Sequence, residues 1–271
     1  MECLVQGRPA YAYTGGVAFR ADQPCLVLIH GALHDHSVWT LLARWFAHHG
    51  WSVLAVDLPG HGRSRGPAPA DVEAAADWLL ALLDAVGARR AALCGHSMGS
   101  LIALEAAARA PERASHLVLV GSAYPMAVSQ TLLDGARDDV QAAIALVNRF
   151  SHSTLAAKPS YPGPGAWLHG ANRALMQRVL ATSQTHAGCA VNLFHHDFTL
   201  CNSYTHGLEA TAAVTCPSTL IVGQRDRMTP PRAAAALAKA LRARTIPLDA
   251  GHALMQEAPD GVLAALRTAL A

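Results

Sequence analysis

The amino-acid sequence predicts an α/β protein, with a mostly parallel sheet covered by helices on both faces and interrupted by an all-helical insertion. Three observations carry this. Short β-rich apolar runs alternate with helical patterns along most of the chain, as strand–helix–strand crossovers require. The runs are continuously apolar, as expected of strands buried on both faces. From Tyr124 to Val214 the alternation lapses, and only helical patterns occur.

In chain order, Leu4–Arg20 reads as an antiparallel hairpin with Gly15-Gly16 at or near its turn. Cys25–His30 (CLVLIH) is a strand ending at Gly31, followed by a helix over Ser37–His49. Ser52–Asp57 (SVLAVD) is the next strand and leads into the turn-rich Leu58–Ser64 (LPGHGRS). A helix over Asp71–Val86 precedes the strand Arg90–Gly95 (RAALCG). A helix over Met98–Ala110 precedes the strand Ser115–Gly121 (SHLVLVG). Within the insertion, Leu132–Phe150, Ala171–Gln184 and Val191–Tyr204 have helical periodicity, while Lys158–Gly165 is a Pro/Gly-rich loop. Ser218–Gly223 (STLIVG) resumes the alternation, followed by a helix over Pro231–Leu241, a weaker strand at Thr245–Leu248 and a closing helix over Gln256–Leu270. The expected division is a core of residues 1–123 and 215–271 and a helical cap of residues 124–214.

The 271 residues are 52% hydrophobic and only 15% charged, against about 25% charged in an average domain. Membrane insertion does not follow, because no run of about 18 residues lacks a charge or a turn former. Alanine accounts for 55 residues, and alanine forms helix well while needing little burial. A net charge of +2 argues against a nucleic-acid groove or an anionic-membrane patch, both of which need clustered Lys and Arg. Six scattered cysteines without a CxxC pair, in a chain with no signal-peptide pattern at Met1–Gln6, read as reduced, buried thiols in a cytoplasmic protein.

Gly95-His96-Ser97-Met98-Gly99 is a G-x-S-x-G set between a predicted strand and a predicted helix, the context this motif requires. The serine must sit on a strained turn, and glycines on either side let the two backbones approach. A serine hydroxyl is a weak nucleophile that needs a base, and the base needs an acid to orient it. Asp226 follows the Ser218–Gly223 strand and His252 follows the last strand, in the order Ser, Asp, His. Asp249 is too close in sequence to reach round His252, and Asp260 reads as helix surface. After the Cys25–His30 strand, His30-Gly31-Ala32 offers the Ala32 N–H, which would pair with the Met98 N–H as an oxyanion hole. His96 should point away from the exposed side of Ser97.

As a set, these motifs resemble the α/β-hydrolase fold superfamily, in its lidded serine-esterase-like branch. The matching residues are His30-Gly31-Ala32 with Trp39, Asp57-Leu58-Pro59-Gly60-His61-Gly62-Arg63-Ser64, Gly95–Gly99, Gly223-Gln224-Arg225-Asp226 with Pro230, and Gly251-His252. The resemblance implies a Ser97/Asp226/His252 triad, no cofactor and a helical lid, and it makes Asp57 and His61 structural. A serine at the nucleophile position excludes the carboxylate-nucleophile relatives.

The expected activity is hydrolysis of an ester-like bond in a small to medium, largely uncharged substrate, through an acyl-enzyme on Ser97. Met126, Phe150, Trp167, Phe194 and Phe198 are candidate substrate contacts within the insertion. His34-Asp35-His36 and His195-His196-Asp197 lack a known ligand spacing, and no metal is expected. The expected partner is a small molecule, with no nucleic acid and no membrane, and homodimerisation is left open. The same triad could serve C–C bond hydrolysis of ring-cleavage products or perhydrolysis. A triad-retaining ligand receptor is the non-enzymatic alternative.

Overall fold

The computed structural model describes residues 1–153, 168–186 and 192–271, the side chains of 184–186 excepted. The strands are β1 (Glu2–Val5), β2 (Arg8–Tyr13), β3 (Cys25–Ile29), β4 (Ser52–Val56), β5 (Ala91–His96), β6 (Ala114–Val120), β7 (Ser218–Gly223) and β8 (Arg244–Leu248). They form one sheet in the order β1-β2-β4-β3-β5-β6-β7-β8. The β1–β2 and β2–β4 pairs are antiparallel, and all other neighbours are parallel. β3, β4 and β5 are buried at every residue, which is why their sequences run continuously apolar.

Helices α1 (Thr40–Ala47), α2 (Val72–Ala85) and α3 (Met98–Arg109) follow β3, β4 and β5. Between β6 and β7 lie α4 (Gln130–Asp138), α5 (Val140–Ser151), α6 (Leu168–His186), α7 (Leu193–Ser203) and α8 (Gly207–Thr211), with no strand among the described residues. Helices α9 (Ala235–Ala240), α10 (Leu254–Glu257) and α11 (Pro259–Ala269) complete the chain. One face of the sheet packs on α2, α3 and α9 through residues such as Leu79, Leu83, Ile102 and Leu237. The other packs on α1 and α11 through Leu42, Phe46, Val262 and Leu266. Each such fully buried side chain contributes roughly 1.5–3 kcal/mol. The inserted helices have an apolar cluster of their own around Ile144, Met176, Leu193 and Phe194, and Leu33 of the β3–α1 loop is buried in it. No helix among the described residues is long and apolar enough to cross a membrane.

Several boundaries differ from the sequence expectation. The hairpin turns at Gln6-Gly7, where φ is +50° and +75°, as a tight two-residue turn requires. Gly15-Gly16 instead follows β2, where Gly15 passes so close to α1 that a Cβ would lie 2.5 Å from that of Ala47. The predicted helix Leu132–Phe150 is two helices, because the Asp139 carboxylate caps α5 by accepting the Ala142 N–H. The closing helix likewise breaks before Pro259, which takes the first position of α11. Pro231–Leu241 opens as a 3₁₀ turn, Pro231–Ala234, ahead of α9. The Lys158–Gly165 loop lies outside the described residues.

Candidate active site

Ser97 joins β5 to α3 with φ 52° and ψ −121°, a conformation that costs a non-glycine residue of order 1–3 kcal/mol. The flanking glycines permit it. A Cβ on Gly95 would collide with the Gly99 carbonyl, and one on Gly99 would lie 2.5 Å from the Ile29 and His30 oxygens. Within β5 and the first turn of α3, Ser97 alone is partly exposed. Ser100 Oγ donates to the Ser97 carbonyl at 2.5 Å and lies 2.8 Å from Ser122 Oγ, from which it can accept, bracing the turn.

Asp226 follows β7 and His252 follows β8, both at the carboxyl edge of the sheet that also carries Ser97. Asp226 Oδ2 accepts His252 Nδ1–H at 2.8 Å. Its other oxygen accepts the Met228 and Thr229 N–H groups, each at 2.8 Å. Burial alone would push this carboxyl up, but His252 and the Thr229 bonds outweigh burial and hold it below the usual carboxylate range. With Nδ1–H committed to Asp226, His252 Nε2 is the basic nitrogen. Ser97 and His252 line the same pocket with no hydrogen bond between them among the described residues. Such contacts commonly tighten only once substrate is bound.

Ala32 also lines this pocket, and neither its N–H nor that of Met98 has a partner among the described residues. Both are therefore free to bind an oxyanion. Gly31 lets the β3–α1 loop lie against the elbow, since a Cβ there would come 3.2 Å from that of Ser97. Asp249 ion-pairs with Arg225 at 2.6 Å on the surface, and Asp260 is exposed on α11. Neither competes with Asp226.

The pocket encloses about 270 Å³ above Ser97 and His252. Of the candidate substrate contacts, Met126, Phe150 and Phe198 line it, together with Leu132 and Val147. Phe194 does not. It is completely buried in the cluster of the inserted helices, its ring 4.5 Å from that of Phe198, which it supports from behind. Trp167 lies outside the described residues. At the rim, the Arg227 guanidinium stacks 4.5 Å above the Phe150 ring and forms no ion pair among the described residues.

Sequence reasoning missed three supporting groups. Thr229 Oγ1 lies 2.7 Å from Asp226 Oδ2, 3.0 Å from His252 Nδ1 and 2.9 Å from the Gly121 carbonyl, closing the acid–base pair from one side. Its position three residues after Asp226 was the available signal. His96 Nε2–H donates to the His252 carbonyl at 2.9 Å, and burial, then His252, holds its pKa well below the ordinary value. It is a neutral strut for the loop that carries the base. Glu257 accepts the Gly251 N–H and, at 2.8 Å, the Ser153 N–H, tying that loop to the end of α5.

Asp35, His36 and Asp57 place ligand-type atoms within 4.8 Å of one another, but protein donors occupy those oxygens. Asp57 accepts from His36 N, His36 Nδ1 and Arg63 N, and Asp35 from Ser37 and Arg178. The cluster is a strut between loops. Cys3, Cys25, Cys94, Cys201 and Cys216 are free thiols, and Cys189 lies outside the described residues. Burial pushes Cys25 up to about 12 and also raises Cys94 and Cys201, so these thiols are poor nucleophiles.

A helix-covered, mostly parallel sheet with a strained serine at its carboxyl edge and an Asp–His pair beside it is the arrangement of the α/β-hydrolase fold. Residues 24–259 match the alpha/beta hydrolase fold family, and the chain belongs to that family. It is 32% identical over 239 residues to the putative carbamate hydrolase RutD of Pseudomonas savastanoi pv. phaseolicola, covering 86% of this chain and 88% of that one. It is 38% identical over 109 residues to the pimeloyl-[acyl-carrier protein] methyl ester esterase of Neisseria meningitidis serogroup C, 40% of each chain. The acetyltransferase component of an acetoin cleaving system of Pseudomonas putida matches at 39% over 103 residues, with 26% of its length spanned. The enol-lactonase from Burkholderia xenovorans LB400 superposes with a TM-score of 0.82 at 22% identity, covering 100% of this chain and 99% of that one.

Proposed function

We propose that this hydrolase cleaves an ester-like bond through an acyl-enzyme on Ser97. The observation that carries the reading is the Asp226–His252 hydrogen bond at the sheet edge where Ser97 is held at positive φ. In the proposed cycle Ser97 Oγ attacks the carbonyl as its proton passes to His252 Nε2. The oxyanion forms against the Ala32 and Met98 N–H groups, and the imidazolium protonates the leaving alkoxide. Neutral His252 then draws a proton from the water that attacks the acyl-enzyme. The second tetrahedral intermediate breaks its bond to Ser97 Oγ, which takes that proton back from His252 as the carboxylic acid leaves. Asp226 holds the imidazole in the required tautomer throughout.

The helices between β6 and β7 act in this reading as a cap, supplying Phe150, Val147 and Phe198 as an apolar wall for the acyl group. The pocket volume suits a small to medium acyl chain. The free thiols suit a reducing compartment such as the cytoplasm. A panel of p-nitrophenyl esters from acetate to laurate tests the reading. Turnover is expected with an optimum at short to medium chains, whereas no turnover on any member by folded protein contradicts it.

Arg227 favours a second reading of the acyl group. It is the one permanently charged side chain among the described pocket residues, with no acid opposite, so it suits a chain ending in a carboxylate. The p-nitrophenyl monoester of glutaric acid and p-nitrophenyl valerate are similar in length and differ in charge. A preference of tenfold or more for the glutarate, lost in Arg227→Gln, supports this reading. Equal rates on both esters return the acyl group to the uncharged class.

A further inference from the structure

The loop of residues 30–35, which carries the Ala32 N–H, is held from two sides. From the sheet side, His30 donates Nδ1–H to the Gly31 carbonyl at 2.8 Å and accepts the Leu58 N–H on Nε2 at 3.1 Å. The inserted helices hold three successive residues of the same loop. Asp197 Oδ2 on α7 accepts the Leu33 N–H at 2.8 Å. Asn172 Oδ1 on α6 lies 2.9 Å from His34 Nε2, and His34 Nδ1 lies 2.6 Å from the Ala32 carbonyl. Arg178, also on α6, donates to Asp35 Oδ2 at 2.7 Å.

Leu33 is the pivot. Its φ is +52°, a conformation that a branched side chain adopts only when its surroundings enforce it. Two contacts do so here: its side chain is wholly buried in the apolar cluster of the inserted helices, and its N–H is bound by Asp197. Asp197 is itself 1% exposed, and the same oxygen also accepts His61 Nε2–H at 3.0 Å. His61 Nδ1 faces the Pro59 carbonyl at 3.2 Å, so both ring nitrogens face acceptors, as the doubly protonated ring requires.

We infer that Asp197 is a positioning residue for the oxyanion site, holding Leu33 at positive φ so that the preceding Ala32 N–H stays aimed at the pocket over Ser97. The inserted helices thus do more than wall the pocket, because they set the geometry of a donor that acts only when the tetrahedral oxyanion forms. The inference rests on the serine-hydrolase reading above and adds a component from the opposite side of the pocket.

The test compares wild type, Asp197→Asn and Arg178→Met on one p-nitrophenyl ester, with each protein's fold checked by circular dichroism. Affinity is also measured for a trifluoromethyl ketone, whose adduct with Ser97 places an oxyanion in the hole. An oxyanion donor acts on the transition state. Asp197→Asn is therefore expected to lower kcat by about 10- to 100-fold, leave KM within about threefold, and weaken the ketone in parallel with kcat. Arg178→Met, which replaces a side chain that is 59% exposed, is expected to show the same pattern at about two- to fivefold.

Folded Asp197→Asn with unchanged kcat and ketone affinity overturns the inference. So does an equal loss in KM and ketone affinity, which marks a merely structural role. If Asp197→Asn does not fold, unchanged kcat in Arg178→Met overturns it. Wild type that neither turns over the ester nor binds the ketone removes the serine-hydrolase reading, and this inference with it. Turnover with the other outcomes above removes the inference alone.

Discussion

The two walls of the pocket are built differently. The sheet-edge wall carries Ser97, Asp226 and His252 on short turns after β5, β7 and β8, where backbone geometry leaves little freedom. The opposite wall comes from residues 126–129 and from α4, α5 and α7, and is mostly apolar side chain. On the first wall, residue identity and spacing determine the chemistry. On the second, the side chains are apolar and differ mainly in volume and shape, so in the proposed reading cavity shape selects the acyl group. In that reading, reaction type and substrate choice are therefore separable, and both depend on the β3–α1 loop, which hydrogen bonds hold from the two sides.

That separation can be broken in order of expected effect. Ser97→Ala should lower kcat by about 10⁴- to 10⁶-fold, measured as ester turnover under saturating substrate. Asp226→Asn should cost about 10⁴-fold in kcat, because the amide leaves His252 in the wrong tautomer. A loss below tenfold in steady-state assays would show that another group orients the base. Changes on the opposite wall should act on selectivity. Phe150→Ala is expected to raise the octanoate-to-acetate ratio of kcat/KM roughly tenfold while Ser97 remains reactive. A uniform fall across all chain lengths would place Phe150 outside the acyl site.

The smallest effect is a pH dependence of the contact between the walls. Burial alone would lower the His61 pKa, but the Asp197 carboxylate and its hydrogen bond outweigh burial and raise it. A raised pKa in the folded state means the stabilisation is fully present below the unfolded value near 6.5 and is lost as pH rises through the folded value. Thermal melts should therefore show Tm falling from neutral to mildly alkaline pH, with a shallower fall in Asp197→Asn. Equal slopes for the two proteins would detach His61 from that loss.

What the sequence revealed follows the same division. The parallel strands, the elbow and the Asp226–His252 order were legible because they depend on local patterns: apolar runs, glycines at a fixed offset and strand ends. The hairpin turn was misplaced because a diglycine is a stronger local signal than Gln6-Gly7, and only pairing with β4 decides between them. The break at Asp139 was hidden because the apolar periodicity continues across it while the side-chain cap does not show in that pattern. Phe194 and Phe198, four residues apart on one helix, cannot be assigned to cluster or cavity without knowing which face meets α4 and α6. Asp197 was legible only as part of a His-His-Asp string, because its partners, His61 and Leu33, are more than 130 residues away.

The most direct test of the central claim is intact-mass and peptide mapping after brief reaction of the folded protein with a fluorophosphonate. One adduct per chain is expected, on Ser97, and none in Ser97→Ala. No adduct on folded wild-type protein, or an adduct on any other residue, would contradict it.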